Sequence, residues 1–391
     1  MGTSGYRGLD YYGVDELYTE EERAIRDTVR DFVSAEILPV IGRHFTAGTF
    51  PRELIPVFGR MGLLGASLTG HGCPGTSATA YGLICQELER GDSGVRSFCS
   101  VQSSLVMYPI WAFGSEEQKQ RWLPGMAKGE LVGCFGLTEP DFGSNPAGML
   151  TTARRTDGGY VLTGTKRWIT NGSIADVALV WAKLDGTIHG FLVPTKTKGF
   201  TARDLPGKWS LRASVTSELV LDDVEVGEDA LLPGVRGLRG PLSCLTQARF
   251  GICYGAVGAA MACYDEALRY AQDRVQFSRP IAGYQLVQQK LVDMVTEITK
   301  GQLLCYRLGR LKDAGTLTPQ QVSLAKRNCV YWAREIARDA RDILGANGVT
   351  DEYQCGRHML NLESVYTYEG THDIHTLVVG QDVTGLAAFD G

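Results

Sequence analysis

Hydrophobic residues change their spacing twice along the chain, and the two changes divide it into three regions. In the first region, apolar positions recur every three or four residues, as in the run from Ala24 to Ile37, which indicates amphipathic helices. Thr19 and Glu22 have the spacing of a capping box and predict where this helix begins. We therefore expect an N-terminal helical domain over residues 1–130.

The second region, residues 131–240, has the composition of strands. Tyr160–Thr163 and Val177–Trp181 are rich in β-branched and aromatic residues. Asp185-Gly186 is a hairpin-turn signal, and the run Gly190–Val193 after it fits a returning strand. This region predicts a central β domain.

Long helical patterns return over residues 241–391, in segments near 243–275, 284–313 and 318–345. Thr318 followed by Pro319 marks the start of the last segment. The apolar stripe from Val322 to Ile343 is longer than one small core requires, which predicts an oligomer. The fold class expected from this order is α+β, mainly α, with a helical-bundle domain at the C-terminus.

Composition and charge exclude several classes of function. The net charge of −5 argues against a nucleic-acid-binding surface, and no apolar run reaches the roughly 20 residues of a membrane span. The N-terminal segment Met1–Tyr6 lacks the basic and apolar parts of a signal peptide. The ten cysteines form no Cys-x-x-Cys pair, and several, such as Cys253 and Cys305, fall in apolar helical stretches. Reduced, buried thiols predict a cytoplasmic protein or one of an organelle matrix.

Glu369, directly before Gly370, is the first candidate for chemistry. A carboxylate at such a corner can point into an apolar cavity, where its pKa would rise and it could act as a general base. The alternative is an ordinary helix C-cap with a solvated glutamate. His372 and His375 could share a metal, but Asp373 is the only further ligand close in sequence, and we expect no metal site.

Arg96 is the second candidate, because it opens a largely apolar stretch. A buried guanidinium requires an anionic partner. That partner could be Glu89 or Asp92, or a substrate carboxylate held by two hydrogen bonds.

Two segments of the β domain could contact a nucleotide cofactor, although GxxxxGK[ST] and GxGxxG signatures are absent. Leu137–Asn145 could present backbone N–H groups to a phosphate, with a plain surface turn as the alternative. Trp168 and Thr170 could flank a flat ring system, with an ordinary strand end as the alternative.

Four segments in order resemble the acyl-CoA dehydrogenase family, and within it most of all its glutaryl-CoA dehydrogenase branch. They are Glu87–Met107, Cys134–Pro140, Gly207–Ser214 and Thr367–His375, and the similarity extends from Leu17 to Phe389. The resemblance implies an N-terminal helical domain, a central β-barrel or β-sandwich, a C-terminal four-helix bundle, a homotetramer and one FAD per subunit.

The resemblance also implies which residues bind the cofactor. In the β domain they are Phe135, Leu137, Thr138, Gly143, Ser144, Trp168, Ile169 and Thr170. In the C-terminal domain they are Arg274, Phe277, Gln285, Gly345, Gly348, Thr371 and Asp373, of which Arg274 and Phe277 would reach the FAD of a neighbouring subunit.

The implied reaction is FAD-dependent α,β-dehydrogenation of glutaryl-CoA, followed by decarboxylation to crotonyl-CoA and CO2. Glu369 would be the base and Arg96 would bind the distal carboxylate, with Ser97, Glu89, Tyr368 and Arg249 as further substrate-binding residues. An electron-transfer flavoprotein would accept the electrons.

Two alternatives to this reaction stay open. Phe142, Asn145 and Tyr366 depart from the pattern of close relatives, which leaves room for a specialised acyl-CoA or acyl-carrier-protein dehydrogenase or oxidase. A flavin-free helical scaffold is the other alternative.

Overall fold

The computed structural model describes residues 6–388. Residues 1–5, within the segment that lacks signal-peptide features, and residues 389–391, which include the end of the resemblance at Phe389, lie outside the described residues. Twelve α-helices lie within the described range. They are α1 (Glu20–Phe32), α2 (Leu38–Ala47), α3 (Ile55–Arg60), α4 (Ala78–Gly91), α5 (Ser93–Ser100), α6 (Tyr108–Phe113), α7 (Glu116–Ala127), α8 (Arg239–Asp273), α9 (Gln285–Asp313), α10 (Pro319–Ile343), α11 (Gln354–Thr367) and α12 (His372–Thr384).

Eleven strands lie in the same part of the chain. They are β1 (Thr69–Gly70), β2 (Cys73–Pro74), β3 (Gly133–Gly136), β4 (Thr152–Thr156), β5 (Gly159–Thr170), β6 (Val177–Leu184), β7 (Thr187–Pro194), β8 (Phe200–Asp204), β9 (Thr216–Gly227), β10 (Val275–Gln276) and β11 (Arg279–Pro280). None of the helices in residues 6–388 is both long enough and apolar enough to cross a membrane.

The chain forms two compact units. In the described part of the chain, one comprises residues 6–47, 77–96 and 249–388, and the other comprises residues 48–76 and 97–248. The predicted domain boundaries, at residues 130 and 240, stay predictions.

The first unit is helical, and local sequence signals define where its helices begin. The Thr19 side chain accepts a hydrogen bond from the Glu22 N–H at 3.2 Å, and the Glu22 carboxylate accepts one from the Thr19 N–H at 2.9 Å. This is the predicted capping box, which satisfies two N–H groups that lack partners within the helix. Thr318 caps α10 in the same reciprocal way with Gln321.

The apolar stripe of α10 packs within the chain itself. Its members Val322, Ala325, Val330, Ile336, Ala340 and Ile343 are each at most 8% exposed. Neighbouring helices α9, α11 and α12 contact α10 and cover this face. The stripe therefore does not require a second subunit, and the oligomer stays a prediction. The prediction of an oligomer now rests on the family resemblance alone.

The second unit is built on a seven-stranded sheet. Six strands follow the order β3-β6-β4-β5-β9-β8, and β7 pairs with β6. The β6–β7 hairpin turns at Asp185 and Gly186, whose φ angles of 50° and 76° are the left-handed values that this turn requires. Side chains from several strands, including Phe191, Val180 and Leu219, form the core of the sheet. The hairpin was predicted at this position.

Candidate active site

A sharp backbone corner separates α11 from α12, and Glu369 is at its centre. Tyr368 is extended and caps the end of α11, whereas Glu369 and Gly370 have left-handed φ angles of 53° and 95°. A non-glycine residue in this conformation costs on the order of 1–3 kcal/mol and needs support from its surroundings. The helix ends before the glycine, so the C-cap alternative does not describe Glu369.

Gly370 is required by space as well as by its backbone angle. A Cβ atom at this position would be 2.9 Å from His375 Nε2 and 3.2 Å from Arg249 Nη2. Any other residue would therefore have to displace buried side chains as well as adopt a strained φ.

Two cationic side chains, the half-buried Arg249 and the buried Lys326, hold the corner through its carbonyl groups. Arg249 Nε donates a hydrogen bond to the Glu369 carbonyl at 2.7 Å. Lys326 Nζ donates to the Gly370 carbonyl at 2.7 Å and also to the Tyr368 carbonyl. Three consecutive carbonyls are thus bound by cations from α8 and α10, and this binding supports the strained backbone.

Sequence reasoning did not identify Lys326. A signal was present, because Lys326 lies four residues after Val322 and four before Val330, within the apolar face of α10. A lysine at a core position of an amphipathic helix needs a buried acceptor, and here the acceptors are backbone carbonyls.

Arg96 is fully buried and is bound on two sides. Its Nε donates to Glu89 Oε2 at 2.6 Å, and its Nη2 donates to the Tyr368 hydroxyl. Of the two protein carboxylates considered as partners, Glu89 takes this role, whereas Asp92 accepts a hydrogen bond from Arg357 at 3.0 Å. Ser97, which follows Arg96 in α5, is also buried.

Three polar atoms of these residues are buried without a hydrogen-bond partner. They are Arg96 Nη1, Glu89 Oε1 and Glu369 Oε2. A buried polar atom left unpaired costs about 1–3 kcal/mol. A bound ligand that brings an acceptor to Arg96 and a proton donor to Glu369 would remove part of this cost.

Burial and charge act in opposite directions on Glu369. Burial raises the pKa of its carboxyl group, and the positive charges of Arg96, Lys326 and Arg249 partly offset that rise. Burial lowers the pKa of Lys326 to about 7, against the attraction of the Glu369 carboxylate. Burial also acts to lower the pKa of Arg96, but the Glu89 carboxylate outweighs it, so this guanidinium stays charged.

The two histidines after the corner, His372 and His375, do not form a metal-binding site. The His372 ring stacks on Tyr366 at 4.6 Å, and burial lowers the pKa of His375 to about 2, so its imidazole is neutral. Within residues 6–388, no group of three or more His, Cys, Asp or Glu side chains could hold a metal ion.

In the second unit, the end of β3 lies beside the end of β5. The Arg167 N–H donates to the Thr138 carbonyl at 2.8 Å, which aligns the two strand ends. Trp168 lies at a register irregularity of β5, with a left-handed φ of 64°, and its side chain is 58% exposed. Thr170, the last residue of β5, is half-buried. The structure therefore brings Thr138 close to the strand segment that carries Trp168 and Thr170.

A buried ion pair anchors the loop that follows β3. Lys166 Nζ donates to Glu139 Oε1 at 2.9 Å and to the Leu137 carbonyl at 3.1 Å. The Glu139 carboxylate also accepts hydrogen bonds from the N–H groups of Leu150 and Thr151 at 2.6 and 2.9 Å. Both ends of the loop are thereby fixed. Gly143 and Ser144 lie exposed within it, whereas Phe135, Leu137 and Ile169 are buried in the unit.

The remaining predicted cofactor residues lie in the first unit at three places. Arg274, directly before β10, Phe277, in the turn of the β10–β11 hairpin, and Gln285, the first residue of α9, are exposed, and Phe277 is 91% exposed. Gly345 is exposed and Gly348 is buried in the turn after α10, while Thr371 caps α12 and Asp373 lies in its first turn. In the described part of the chain, no hydrogen bond or ion pair joins the hairpin residues to the Glu369 corner.

Comparison with known proteins accounts for nearly the whole chain. Three acyl-CoA dehydrogenase domain profiles match it, the N-terminal domain over residues 19–130, the middle domain over 134–224 and the C-terminal domain over 235–384. The chain belongs to the acyl-CoA dehydrogenase family. This membership confirms the predicted fold, the prediction of an FAD-dependent enzyme acting on a CH–CH group, and FAD as the cofactor.

Individual relatives are similar over almost their full lengths. A glutaryl-CoA dehydrogenase crystal structure from Mycobacterium smegmatis is 59% identical, with a TM-score of 0.96, over 97% of this chain and 98% of the other. A glutaryl-CoA dehydrogenase from the same organism, solved in complex with FADH2, is 54% identical, with a TM-score of 0.97, over 99% and 100%. The short-chain specific acyl-CoA dehydrogenase of Bos taurus is 34% identical over 96% of this chain and 93% of its own.

The residues present in this acyl-CoA dehydrogenase fit FAD. Trp168 presents an exposed aromatic ring and Thr170 a half-buried hydroxyl group at the end of β5. The exposed hydroxyl of Ser144 and the open backbone at Gly143, where an added Cβ would meet no atom within 4 Å, suit a phosphate group. These four residues could hold the cofactor without displacing any buried group.

Proposed function

We propose that this acyl-CoA dehydrogenase oxidises glutaryl-CoA and then decarboxylates the product to crotonyl-CoA and CO2. The observation that carries the proposal is Arg96, a fully buried cation whose Nη1 has no hydrogen-bond partner. It shares a cluster with the unpaired Glu369 Oε2. The distal carboxylate of glutaryl-CoA could accept a hydrogen bond from Arg96 Nη1, and its acidic α-hydrogen could be removed by Glu369 Oε2. The 59% and 54% identity to two proteins named glutaryl-CoA dehydrogenase supports this substrate.

Glu369 would remove the α-proton of the thioester. Because burial raises its pKa, the carboxylate is a stronger base than one in water. The corner fixes the backbone of Glu369, and its Oε2 makes no competing hydrogen bond. FAD, when bound, supplies the acceptor for the β-hydride.

Arg96 would bind the distal carboxylate of glutaryl-CoA through Nη1. Glu89 fixes the guanidinium from one side and Tyr368 from another, so little side-chain entropy is lost when the substrate binds. Glu89 also balances the charge of Arg96 in the absence of substrate. A thioester without a distal carboxylate would leave the Nη1 group buried and unpaired.

The second step would cleave the bond between the γ-carbon and the distal carboxyl group. CO2 leaves, and the electron pair of the broken bond is delocalised over the new double bond and the thioester carbonyl. The proton that Glu369 took from the α-carbon is available to return to the γ-carbon, which yields crotonyl-CoA. The same side chain thus serves as base and then as acid.

Two further features of the proposal come from the family. We expect an electron-transfer flavoprotein to accept the electrons and the protein to be a homotetramer. The cytoplasmic or matrix location stays a prediction from the cysteines, of which Cys253, Cys263 and Cys305 are buried as expected.

Anaerobic titration of the yellow holoenzyme tests the proposed substrate. Glutaryl-CoA should bleach the flavin absorbance at low concentration. Pentanoyl-CoA, which has the same chain length with a methyl group in place of the carboxylate, should do so on the order of 100-fold less efficiently, because Arg96 Nη1 stays without a hydrogen-bond partner. Bleaching by another acyl-CoA or acyl-carrier-protein thioester, with none by glutaryl-CoA, would replace the proposal with a specialised relative.

A further inference from the structure

Lys326 is the one cation of the active-site cluster to which neither the sequence analysis nor the proposed reaction gives a role. It lies on α10 and is 2% exposed. Its ammonium group binds the carbonyls of Tyr368 and Gly370, the residues on either side of Glu369. No side-chain carboxylate in the described range forms a hydrogen bond or a close ion pair with Lys326.

Burying an ammonium group in this way costs several kcal/mol of desolvation energy. An apolar side chain of similar length would fill the position at lower cost, as the rest of the stripe on α10 does. Core packing therefore does not explain a lysine here. The two carbonyls and the Glu369 carboxylate, which attracts the ammonium group, do explain it.

We infer that Lys326 is a positioning residue for the base. By binding the carbonyls on both sides of Glu369 it holds that residue in the left-handed corner, and its charge favours the carboxylate form. This inference rests on the proposed role of Glu369. Beyond the proposed reaction, it assigns to Lys326 the rigidity of the corner and part of the control over the pH range in which Glu369 acts as a base.

Lys326 is not the only charge that faces Glu369. Arg96 and Arg249 add positive charge, and Glu89 adds negative charge. Lys326 itself is faced by Glu369, Arg249, Cys253, Arg96 and the neutral His375.

Because Glu369 must be deprotonated to act, activity rises with pH through the pKa of Glu369. Loss of one cation raises that pKa, so the acid limb of the profile moves to higher pH.

The experiment compares three variants of the holoenzyme. Lys326→Met removes the charge and both hydrogen bonds while keeping the side-chain length. Lys326→Gln keeps an amide donor without the charge. Arg327→Met is the matched control, because this adjacent cation is exposed and donates to Thr376 on α12. For each variant we would measure FAD content, the apparent melting temperature, and the rate of anaerobic flavin reduction as a function of pH.

The expected results separate two effects of Lys326, which are the positioning of Glu369 by hydrogen bonds and the influence of the ammonium charge on the pKa of Glu369. Lys326→Met should reduce the limiting rate by about tenfold or more and move the acid limb upward by about one pH unit. Lys326→Gln should show the same shift of the limb with a smaller loss of rate, and Arg327→Met should match the wild type. The inference is overturned if Lys326→Met has the wild-type profile, or if it loses rate and FAD together with no shift of the limb.

The test does not depend on which acyl group the enzyme prefers. Any thioester that reduces the wild-type flavin can serve as the substrate. A failure of glutaryl-CoA in the wild type would overturn the proposed substrate and leave the comparison of variants intact.

Discussion

Two opposing effects act on the Glu369 carboxyl group, which is shielded from water and is also close to three cations. Burial raises the pKa of the Glu369 carboxyl group, and the three cations lower it. Because burial outweighs the cations, the pKa of Glu369 is raised, while the cations still favour its ionised form. A base with this balance can take a proton from a weakly acidic carbon and give it back.

Glu369→Gln tests the base directly. The amide has nearly the same shape but cannot accept the α-proton, so flavin reduction should slow by on the order of a thousandfold or more. FAD content and thioester binding, measured by spectral titration, should be retained.

The control for Glu369→Gln is Glu363→Gln, six residues earlier in the chain and on α11, where the carboxylate pairs with Arg338 at 2.6 Å. Loss of such a partly exposed pair costs at most about 1 kcal/mol, and activity should be normal. Full activity of Glu369→Gln would show that another group is the base.

Arg96 is best tested together with Glu89. Removing only the guanidinium would leave a buried, unpaired carboxylate and destabilise the fold by about 3–5 kcal/mol. The double change Arg96→Met and Glu89→Gln removes both charges. It should lower kcat/KM for glutaryl-CoA on the order of 100-fold and leave pentanoyl-CoA nearly unaffected. Equal losses on both thioesters would mean that the pair is structural.

At the level of single residues, sequence pattern identified side chains whose types are chemically conspicuous. Glu369 beside a glycine, and Arg96 at the start of an apolar stretch, stood out for that reason. Lys326 did not, since its role depends on carbonyl groups 42 and 44 residues away, which only the packing of α10 against the corner brings near. Glu139 and Lys166 were overlooked for the same reason.

The corner between α11 and α12 is the element on which the site depends. Gly370→Ala forces a Cβ toward His375 and a left-handed φ on alanine, which should destabilise the protein by about 1–2 kcal/mol and lower kcat. Gly380→Ala is the control, because no atom within 4 Å would meet its Cβ in α12, and there alanine should stabilise by roughly 0.5–1 kcal/mol. Thermal unfolding measures the stability of the two variants, and the rate of flavin reduction measures their activity. Unchanged stability and rate in Gly370→Ala would contradict the account of the corner.

Elements with local signals were predictable, and elements determined by packing were not. Thr19 and Thr318 cap their helices, and Asp185-Gly186 turns its hairpin, because each effect needs only neighbouring residues. α11 ends at Thr367, and the next three carbonyls are bound by cations from α8 and α10, an arrangement that depends on packing. The stripe of α10 suggested a second subunit because the three covering helices cannot be inferred from the stripe alone.

For the whole molecule, the order of helical, β and helical regions suggested the fold class, and the family resemblance implied the fold, which family membership confirms. Pattern alone did not indicate a substrate. The substrate proposal depends on a cluster of the first unit in which the fully buried Arg96 and Glu89 meet the half-buried Tyr368 and Glu369. These residues come from α4, α5 and the corner.

The central claim is that one cluster both oxidises and decarboxylates glutaryl-CoA. Its most direct test is a single anaerobic turnover of the holoenzyme with glutaryl-CoA labelled in the distal carboxyl group, in which flavin reduction and released CO2 are measured together. We predict one CO2 for each flavin reduced, with crotonyl-CoA as the product. Flavin reduction without CO2, leaving glutaconyl-CoA, or no reduction at all, would contradict the account.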